Sequence, residues 1–204
     1  MTEVLVVRHG QSTWNVEHRF TGQADPPLSA LGERQAQALA ATCRGRSVDA
    51  VVTSDLQRAH RTGEVVAGVL GLSAPVVVSD LRERWSQWMT GRTRDEIETA
   101  YPGTLAAWRR GRPVAAPGPH EEFAAFTDRV LDGLLAAAGH GRRVLVAAHA
   151  GTFVALGAVF DVPGPEVANA EGCVVQVEGD RVAHVTGRLE LSSEEVERTG
   201  RADP

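Results

Sequence analysis

Short apolar runs rich in β-branched residues alternate along the chain with longer segments of helical periodicity. Such a run is typical of a buried strand, whereas apolar residues spaced three and four apart are typical of an amphipathic helix. Four strands are predicted on this basis, at residues 4–7, 50–53, 76–78 and 144–148. Their alternation with helical segments indicates the α/β class and a sheet that is mostly parallel.

Two helices and one hairpin are predicted around these strands. One apolar stripe runs from Leu31 to Cys43, and a stronger one runs from Phe123 to Ala138. The apolar runs at 173–177 and 182–185 flank a Gly-Asp turn signal, which predicts an antiparallel hairpin at one sheet edge. The hairpin makes the sheet mixed. We therefore expect a three-layer α/β/α sandwich around a mostly parallel mixed sheet.

The chain length sets the number of domains. With 204 residues and a hydrophobic content of 43%, one substantial core is favoured over two. We expect a single domain over residues 1–190 and a polar C-terminal tail over residues 191–204. Residues 82–120 interrupt the alternation, since they hold three of the four tryptophans and a Pro/Gly-rich piece. We interpret this segment as a small cap inserted over the functional site.

Charge and cysteine usage exclude several partners. The chain has 21 basic and 26 acidic residues without a separate basic block, so a nucleic-acid partner is not expected. The longest apolar stretch, residues 153–160, is too short to cross a bilayer, and a first strand so close to Met1 leaves no room for a signal peptide. Cys43 and Cys173 lack metal-ligand spacing and are expected to be buried thiols. We expect a soluble, cytoplasmic protein without a membrane partner.

Histidine follows two of the predicted strands. Arg8, His9 and Gly10 come directly after the first strand, and His149 follows the strand at 144–148. If these strands are neighbours, two imidazoles and a guanidinium converge where open α/β sheets place their ligand sites. Such a set suits a doubly charged phosphate, and a neutral imidazole attacks phosphorus without activation by a base. The sequence therefore predicts a phosphoryl-transfer site.

A further arginine is predicted at a helix N-terminus. Residues 54–57 fit a capping box, which places Arg58 in the first turn of the next helix. A guanidinium beside free helix amides holds phosphate oxygens firmly, although a surface arginine fits the same pattern. A zinc site needs a third ligand at suitable spacing, and no HxxxH or HExxH pattern occurs. We expect no metal and no other cofactor.

Five motifs occur in a fixed order along the chain. They are Arg-His-Gly-Gln-Ser-Thr-Trp-Asn at residues 8–15, then residues 25–36, 54–62, 81–83 and 149–151. In this order they resemble the signature of the histidine phosphatase superfamily, in its phosphoglycerate mutase-like branch 1. Five motifs in register are far more specific than a single short match. The resemblance implies a phosphoglycerate mutase-like fold.

The resemblance assigns a role to each matching position. His9 would become phosphorylated, and Glu83 would protonate the leaving alkoxide and then deprotonate the attacking water. His149 would take part in catalysis and bind the phosphoryl group. The other phosphate contacts would come from Arg8, Asn15, Arg58 and the backbone N–H of Ala150. A surface carboxylate paired with Arg82 or Arg84 is the alternative interpretation of Glu83.

The departures from the family pattern concern the substrate side of the site. Ala150 stands where many relatives have glycine, and its methyl group would crowd the phosphate unless the local φ is negative. Residues 88–91 lack the carboxylate of the family's Trp-Glu-Gly element. The tryptophans of the cap, including Trp108, fit either binding of an organic phosphoester or a cap core. The arginines beside them likewise fit either substrate binding or a solvated helix end; they are Arg92, Arg94, Arg109, Arg110 and Arg112. Substrate contacts are predicted for Phe20, Thr21, Gly22, Trp85 and Trp88.

Metal-independent hydrolysis of a small organic phosphomonoester is the activity that the sequence favours. A cofactor-dependent phosphoglycerate mutase is the first alternative, but the longer basic insertion of mutase relatives is missing after Glu83. A phosphate-binding or regulatory protein without turnover is the second, and the presence of both His9 and Glu83 argues against it. Several relatives dimerise, so a homodimer stays open, as does the identity of the substrate.

Overall fold

The computed structural model describes residues 1–114, 117–161 and 167–189. The tail predicted at 191–204 and two residues of the predicted cap, 115 and 116, lie outside this range. The described residues form six strands, namely β1 (Thr2–Arg8), β2 (Ala50–Thr53), β3 (Val76–Val77), β4 (Arg143–Ala148), β5 (Gly172–Glu178) and β6 (Arg181–Leu189). They also form seven α-helices, namely α1 (Thr13–Val16), α2 (Ala30–Cys43), α3 (Gln57–Leu70), α4 (Arg94–Ala100), α5 (Thr104–Arg109), α6 (Phe123–Ala138) and α7 (Ala150–Val159).

These strands form one mixed sheet with the order β3-β2-β4-β1-β5-β6. The first four strands in that order are parallel, whereas β5 pairs antiparallel with β1 and β6 pairs antiparallel with β5. Gly179, in the turn between β5 and β6, has a φ of 62°, a left-handed conformation that glycine adopts without strain. The predicted hairpin and the mostly parallel mixed sheet are confirmed.

The sheet is covered by helices on both faces, because successive side chains of a strand point to opposite sides. Val4 and Val6 of β1 belong to a buried cluster with α6 and α7. Leu5 and Val7 belong to a second cluster with α2 and α3. The predicted three-layer sandwich is confirmed. The two cysteines are buried thiols, one in each cluster, as expected.

Helix α3 does not begin with the predicted capping box. It starts at Gln57, and Leu56 in the cap position makes no side-chain hydrogen bond. Asp25, in the loop before α2, instead accepts a hydrogen bond from the Gln57 amide at 2.7 Å, and Ser54 Oγ accepts one from the Leu56 amide. A carboxylate 32 residues away therefore replaces the local cap, which a pattern along one segment does not reveal. The position of Arg58 in the first turn of α3 is confirmed.

Residues 82–120 contain the short helices α4 and α5 and a small core of their own. This core consists of Met89, Ile97 and Trp108. Phe20, from the segment after α1, packs against it with its ring 5.6 Å from that of Trp108. The inserted segment thus contacts the region that follows β1. None of the helices in the described part of the chain has both the length and the apolar composition that crossing a bilayer requires.

Candidate active site

The carboxyl ends of β1 and β4 bring two histidines together. These strands are adjacent and parallel, with Arg8 opposite Ala148. The His9 amide donates to the Ala148 carbonyl at 3.0 Å, which extends the ladder by one residue beyond β1. The ring centroids of His9 and His149 are 5.2 Å apart. The two strands that end in histidine are therefore neighbours, and the expected convergence is observed.

The backbone of Gly10 sets the tautomer of His9. The Nδ1 atom lies 2.6 Å from the Gly10 carbonyl oxygen, which can only accept, so a neutral ring carries its proton on Nδ1. The Nε2 atom then has a lone pair, and it accepts a hydrogen bond from Arg58 Nε at 3.2 Å. Only 4% of His9 is exposed. The protein therefore holds a nucleophilic nitrogen in a buried position.

Arg58 is fixed by the loop that precedes α2. Its Nη1 donates to the carbonyl of Ala24 at 2.8 Å, and its Nη2 donates to the carbonyl of Gly22 at 2.9 Å. Arg58 is almost fully buried in the first turn of α3, at the positive end of the helix dipole. The guanidinium consequently has one orientation, with its Nε–H directed at His9.

Buried polar atoms beside His9 lack hydrogen-bond partners among the described residues. They include Arg8 Nε and both ring nitrogens of His149, which is completely buried. An unpaired buried polar atom costs about 1–3 kcal/mol, so such atoms are rare unless a ligand supplies the missing bond. Their position indicates a site for a ligand that carries several oxygen atoms.

The charges of the site follow from its burial. Burial lowers the pKa of His9 and of His149 well below 6.5, and the positive charge of Arg58 lowers both further. Burial also lowers the pKa of Arg8 and of Arg58 to about 10, which keeps both cationic at pH 7. Neutral imidazoles thus lie beside two fixed cations, a combination that suits attack on a phosphate dianion. The described residues contain no group of three or more His, Cys, Asp and Glu side chains that could hold a metal ion.

Glu83 reaches the same region from the segment between β3 and α4. Its carboxylate accepts hydrogen bonds from the Arg84 amide at 2.7 Å and from the Gly151 amide at 3.1 Å. Arg82 pairs with Asp55, and the Arg84 guanidinium stacks on an aromatic ring of the cap. Glu83 is therefore paired with the side chain of neither Arg82 nor Arg84, and the alternative interpretation as a surface carboxylate paired with one of them is wrong.

Asn15 and Ala150 also lie at this site. The Oδ1 atom of Asn15 accepts hydrogen bonds from the amide and the hydroxyl of Ser12, each at 3.0 Å, which leaves Nδ2 to donate to a ligand. Ala150 is the first residue of α7 and is absent from the described residues with positive φ. The methyl group of Ala150 therefore does not impose a strained backbone on the phosphate-binding turn.

One cleft connects most of the predicted site residues. The predicted residues that line it are Arg8, His9, Asn15, Phe20, Thr21, Gly22, Arg58, Glu83 and Ala150. His149 is buried beside His9, behind the lining of the cleft. Trp85 and Trp88 are not among the described residues that line it, so the predicted substrate contacts of these two tryptophans are not found there. Trp88 instead packs edge to face against Tyr101, with a centroid distance of 5.0 Å, as part of the cap.

The cleft has additional walls that sequence reasoning did not assign. Arg94, Trp108 and Arg109 come from the arginine-rich cap, which the sequence indicated only as a group. Phe123 and Phe126 come from α6. Their spacing of three residues indicated a buried helix face. The periodicity of α6 does not reveal that this end of the face borders a cleft as well as the core.

Two buried polar residues fix the backbone around His9. Asn169 Nδ2 donates to the His9 carbonyl at 2.9 Å, and Thr62 Oγ1 accepts from the Gly10 amide at 3.0 Å. Sequence patterns assigned a role to neither residue, although Thr62 ends the motif at residues 54–62. Thr62 lies four residues after Arg58 on the same helix face, which is a usable signal. Asn169 is 160 residues from His9, and no local pattern connects the two.

Proteins of similar sequence carry two kinds of name. The chain is 36% identical over 167 residues to a protein of Methylobacterium radiotolerans named 2,3-bisphosphoglycerate-dependent phosphoglycerate mutase, with 78% of each chain covered. It is 34% identical over 160 residues to a protein of Bacillus subtilis named uncharacterized phosphatase PhoE, with 76% of each chain covered. A mutase and a phosphatase are therefore both among its relatives.

Solved structures share the fold, and a family model matches the sequence. YhfR of Bacillus stearothermophilus has a TM-score of 0.79 at 26% identity, with 96% of this chain and 100% of that chain covered. A mycobacterial glucosyl-3-phosphoglycerate phosphatase, solved with VO3, has a TM-score of 0.75 at 29% identity, with 88% of this chain and 93% of that chain covered. The model for the histidine phosphatase superfamily (branch 1) matches residues 4–186. The chain thus belongs to the histidine phosphatase superfamily, branch 1, as its five motifs indicated.

Proposed function

We propose that the protein is a metal-independent phosphatase that hydrolyses a small organic phosphomonoester through a phosphohistidine on His9. The observation that carries this proposal is the tautomer of His9. Its ring proton is held on Nδ1, so the lone pair is on Nε2, an atom that lies 3.2 Å from Arg58 Nε. A neutral imidazole in this tautomer is a nucleophile without further activation. The unpartnered nitrogens of Arg8 and His149 support an anionic ligand at the same place.

In the first step, His9 Nε2 attacks phosphorus, and the P–O bond to the alcohol breaks as the N–P bond forms. Glu83 gives its proton to the departing oxygen, which makes a poor alkoxide leaving group into an alcohol. The phosphoryl group is loosely bonded during transfer, so the main task of the surrounding donors is to stabilise its charge. Those donors are the guanidinium groups of Arg8 and Arg58, an imidazole N–H of His149, Asn15 Nδ2 and the Ala150 amide.

In the second step, a water molecule gives a proton to the Glu83 carboxylate, and its oxygen attacks phosphorus. The N–P bond breaks, and its electron pair returns to His9 Nε2. Inorganic phosphate leaves, while His9 is again neutral and Glu83 is again protonated. Glu83 therefore acts as the general acid in the first step and as the general base in the second.

The remaining walls of the cleft support an organic leaving group with some apolar surface. Leu105, Trp108 and Phe123 supply apolar contacts, and Arg109 places a positive charge in the same cleft. Small-molecule sites commonly combine apolar walls with a few placed polar groups. Phosphoglycerates belong among the compounds to be tested, because one solved neighbour is named as a phosphatase of a glucosylated phosphoglycerate.

A phosphoglycerate mutase is the second candidate, and the 36% identical relative with that name favours it. A mutase must keep phospho-His9 from water until a second hydroxyl receives the phosphoryl group. We expect a mutase to close its site with a longer basic insertion after Glu83, and this sequence has no such insertion there. We therefore rank hydrolysis first.

The test is phosphate release from a panel of sugar, glycerate, nucleotide and aryl phosphates in the presence of excess chelator. Wild type is compared with His9→Ala and with His184→Ala, which alters an exposed histidine on β6. Hydrolysis that resists the chelator, persists in His184→Ala and falls by several orders of magnitude in His9→Ala is the expected result. An acid-labile phosphoryl group on wild type, absent from His9→Ala, identifies the intermediate.

Each of the other outcomes would establish a different function for this protein. Transfer of phosphate between hydroxyl groups of phosphoglycerate, without release, would establish the mutase. Loss of activity with chelator would establish a metal-dependent hydrolase. Ligand binding without turnover, retained in His9→Ala, would establish a phosphate-binding or regulatory protein.

A further inference from the structure

Behind the segment that carries Glu83 lies a bidentate ion pair. Arg129 of α6 and Glu121, two residues before α6, form two parallel hydrogen bonds, from Nε to Oε1 and from Nη2 to Oε2, both of 2.8 Å. About four fifths of each side chain is buried, with 21% and 19% exposed. A bidentate pair of this kind has a fixed geometry, unlike an exposed ion pair between flexible side chains.

The other donors of Arg129 bind the backbone that leads to Glu83. Nη1 donates to the carbonyl of Asp80 at 2.8 Å and to that of Arg82 at 2.9 Å. Nη2 also donates to the carbonyl of Glu83 itself at 3.4 Å. All five N–H groups of the guanidinium are therefore used, and three of them end on one short stretch of chain.

Glu121 holds the same stretch on the other side of Glu83. Its Oε2 accepts from the Trp85 amide at 3.3 Å, and its amide donates to the Trp85 carbonyl at 2.9 Å. Its carbonyl accepts from Arg84 Nε at 3.0 Å. The Arg129–Glu121 pair thus binds the chain immediately before and immediately after the carboxylate.

This stretch needs such support because it has little regular structure. Only Ser79–Leu81 form a single 3-10 turn, and residues 82–85 lie outside the helices and strands. The carboxylate itself is held by two backbone amides, those of Arg84 and Gly151. Proton transfer requires the donor within about 2.6–3.2 Å of the departing oxygen.

We propose that Arg129 and Glu121 are positioning residues that hold Glu83 where it can protonate the leaving group. They act through Glu83 and touch no reacting atom. Because the role of Glu83 as proton donor is part of the proposed phosphatase function, this inference rests on that function. Proton donation is needed when the leaving group is an alkoxide, and it matters little when the leaving group is a stable phenolate. Loss of positioning consequently affects alkyl phosphates selectively, whereas general damage to the fold affects all substrates.

The experiment compares kcat/KM for an alkyl phosphate from the panel with kcat/KM for p-nitrophenyl phosphate. The test variants are Arg129→Lys, which keeps the charge but loses the planar fork, and Glu121→Gln, which keeps the shape but loses the charge. Glu83→Gln provides the reference pattern. Arg82→Lys is the matched control, because it changes an arginine of the same stretch whose side chain pairs with Asp55 and is 43% exposed.

Both test variants are expected to lose roughly 10-fold or more on the alkyl phosphate while the aryl phosphate changes by less than about 3-fold. Glu83→Gln is expected to show the same selectivity more strongly, and Arg82→Lys none. An equal loss on both substrates, or no loss, would overturn the inference. If Arg129→Lys does not fold, Glu121→Gln decides on the same criteria. Lack of selectivity in Glu83→Gln would overturn the role of Glu83 in the proposed function, which separates that failure from a failure of the positioning pair.

Discussion

The Nε–H of Arg58 donates to Nε2 of His9, so a guanidinium occupies the lone pair that would attack phosphorus. The two residues are 49 positions apart and are both buried. A phosphoryl group that enters the site can accept this N–H on one of its oxygens. His9 Nε2 then no longer accepts it, so its lone pair is free to attack phosphorus. The Nε–H of Arg58 would then donate to His9 Nε2 before the ligand binds and to a phosphoryl oxygen afterwards.

Replacing Arg58 by lysine is expected to separate charge from geometry. Arg58→Lys retains a cation but loses the fork that also binds the carbonyls of Gly22 and Ala24. We expect kcat to fall by about 10²-fold or more and the free energy of unfolding to fall by about 1–3 kcal/mol, since buried carbonyls lose their donors. Steady-state kinetics and denaturant unfolding measure the two effects.

Arg61→Lys is the matched control for this substitution. Arg61 lies on the same helix, half exposed, in ion pairs with Glu33 and Glu64. Its replacement is expected to leave turnover unchanged and to cost less than about 1 kcal/mol. Equal kinetic effects of the two variants would contradict a specific role for Arg58.

Gly151 is expected to tolerate no side chain, because a Cβ there would overlap the Glu83 carboxylate and crowd the Phe126 ring. Gly151→Ala is expected to lower kcat/KM for an alkyl phosphate roughly 10- to 100-fold by displacing the carboxylate. Gly68→Ala, on α3, adds a Cβ with nothing within 4 Å. This control is expected to keep full activity and to raise stability by about 0.4–1 kcal/mol. Full activity of Gly151→Ala would show that the position of Glu83 does not limit the reaction.

Stability is expected to fall as the pH falls below 6.5. Burial lowers the pKa of His9 and of His149 below that value, so the folded protein leaves both neutral where the unfolded chain binds a proton on each. The state that binds more protons gains as the pH falls, and the loss is about 1.4 kcal/mol per pH unit for each histidine. Denaturant unfolding at pH 7.5, 6.5 and 5.5 measures this slope. The same slope is expected in His184→Gln, and a flat profile in wild type would mean that the two buried rings accept protons freely in the fold.

His149→Phe is expected to stabilise the ligand-free protein while it impairs function. Both ring nitrogens of His149 are buried without partners among the described residues, and phenylalanine removes that penalty of about 1–3 kcal/mol. We expect inorganic phosphate to bind the folded site and so to stabilise wild type, and we expect this gain to shrink in the variant. Unfolding curves with and without phosphate at pH 7.5 test both points. A variant less stable than wild type without phosphate would show that the His149 nitrogens are already satisfied.

Local patterns predicted the elements and the residues at their ends. The strands at 50–53 and 144–148 and the helix at 123–138 were recognisable because their periodicity is set by neighbouring residues. The order of residues after a strand is equally local, so the positions of His9 and His149 at strand ends follow from the sequence. The cap of α3 was predicted wrongly, because its donor group comes from Asp25 in another loop.

The α/β class, the family and the residues that emerge at the carboxyl ends of two strands can all be deduced from the order of the amino acids. The folded molecule adds that β1 and β4 are neighbours, that the Arg58 fork meets His9 Nε2, and that Arg129 and Glu121 enclose the backbone of Glu83. These relationships join residues that are far apart along the chain. A repeating pattern arises from contacts a few residues apart, whereas hydrogen bonds between Asn169 and His9 or between Arg129 and Asp80 depend on the packing of whole layers and leave no periodic mark in the sequence.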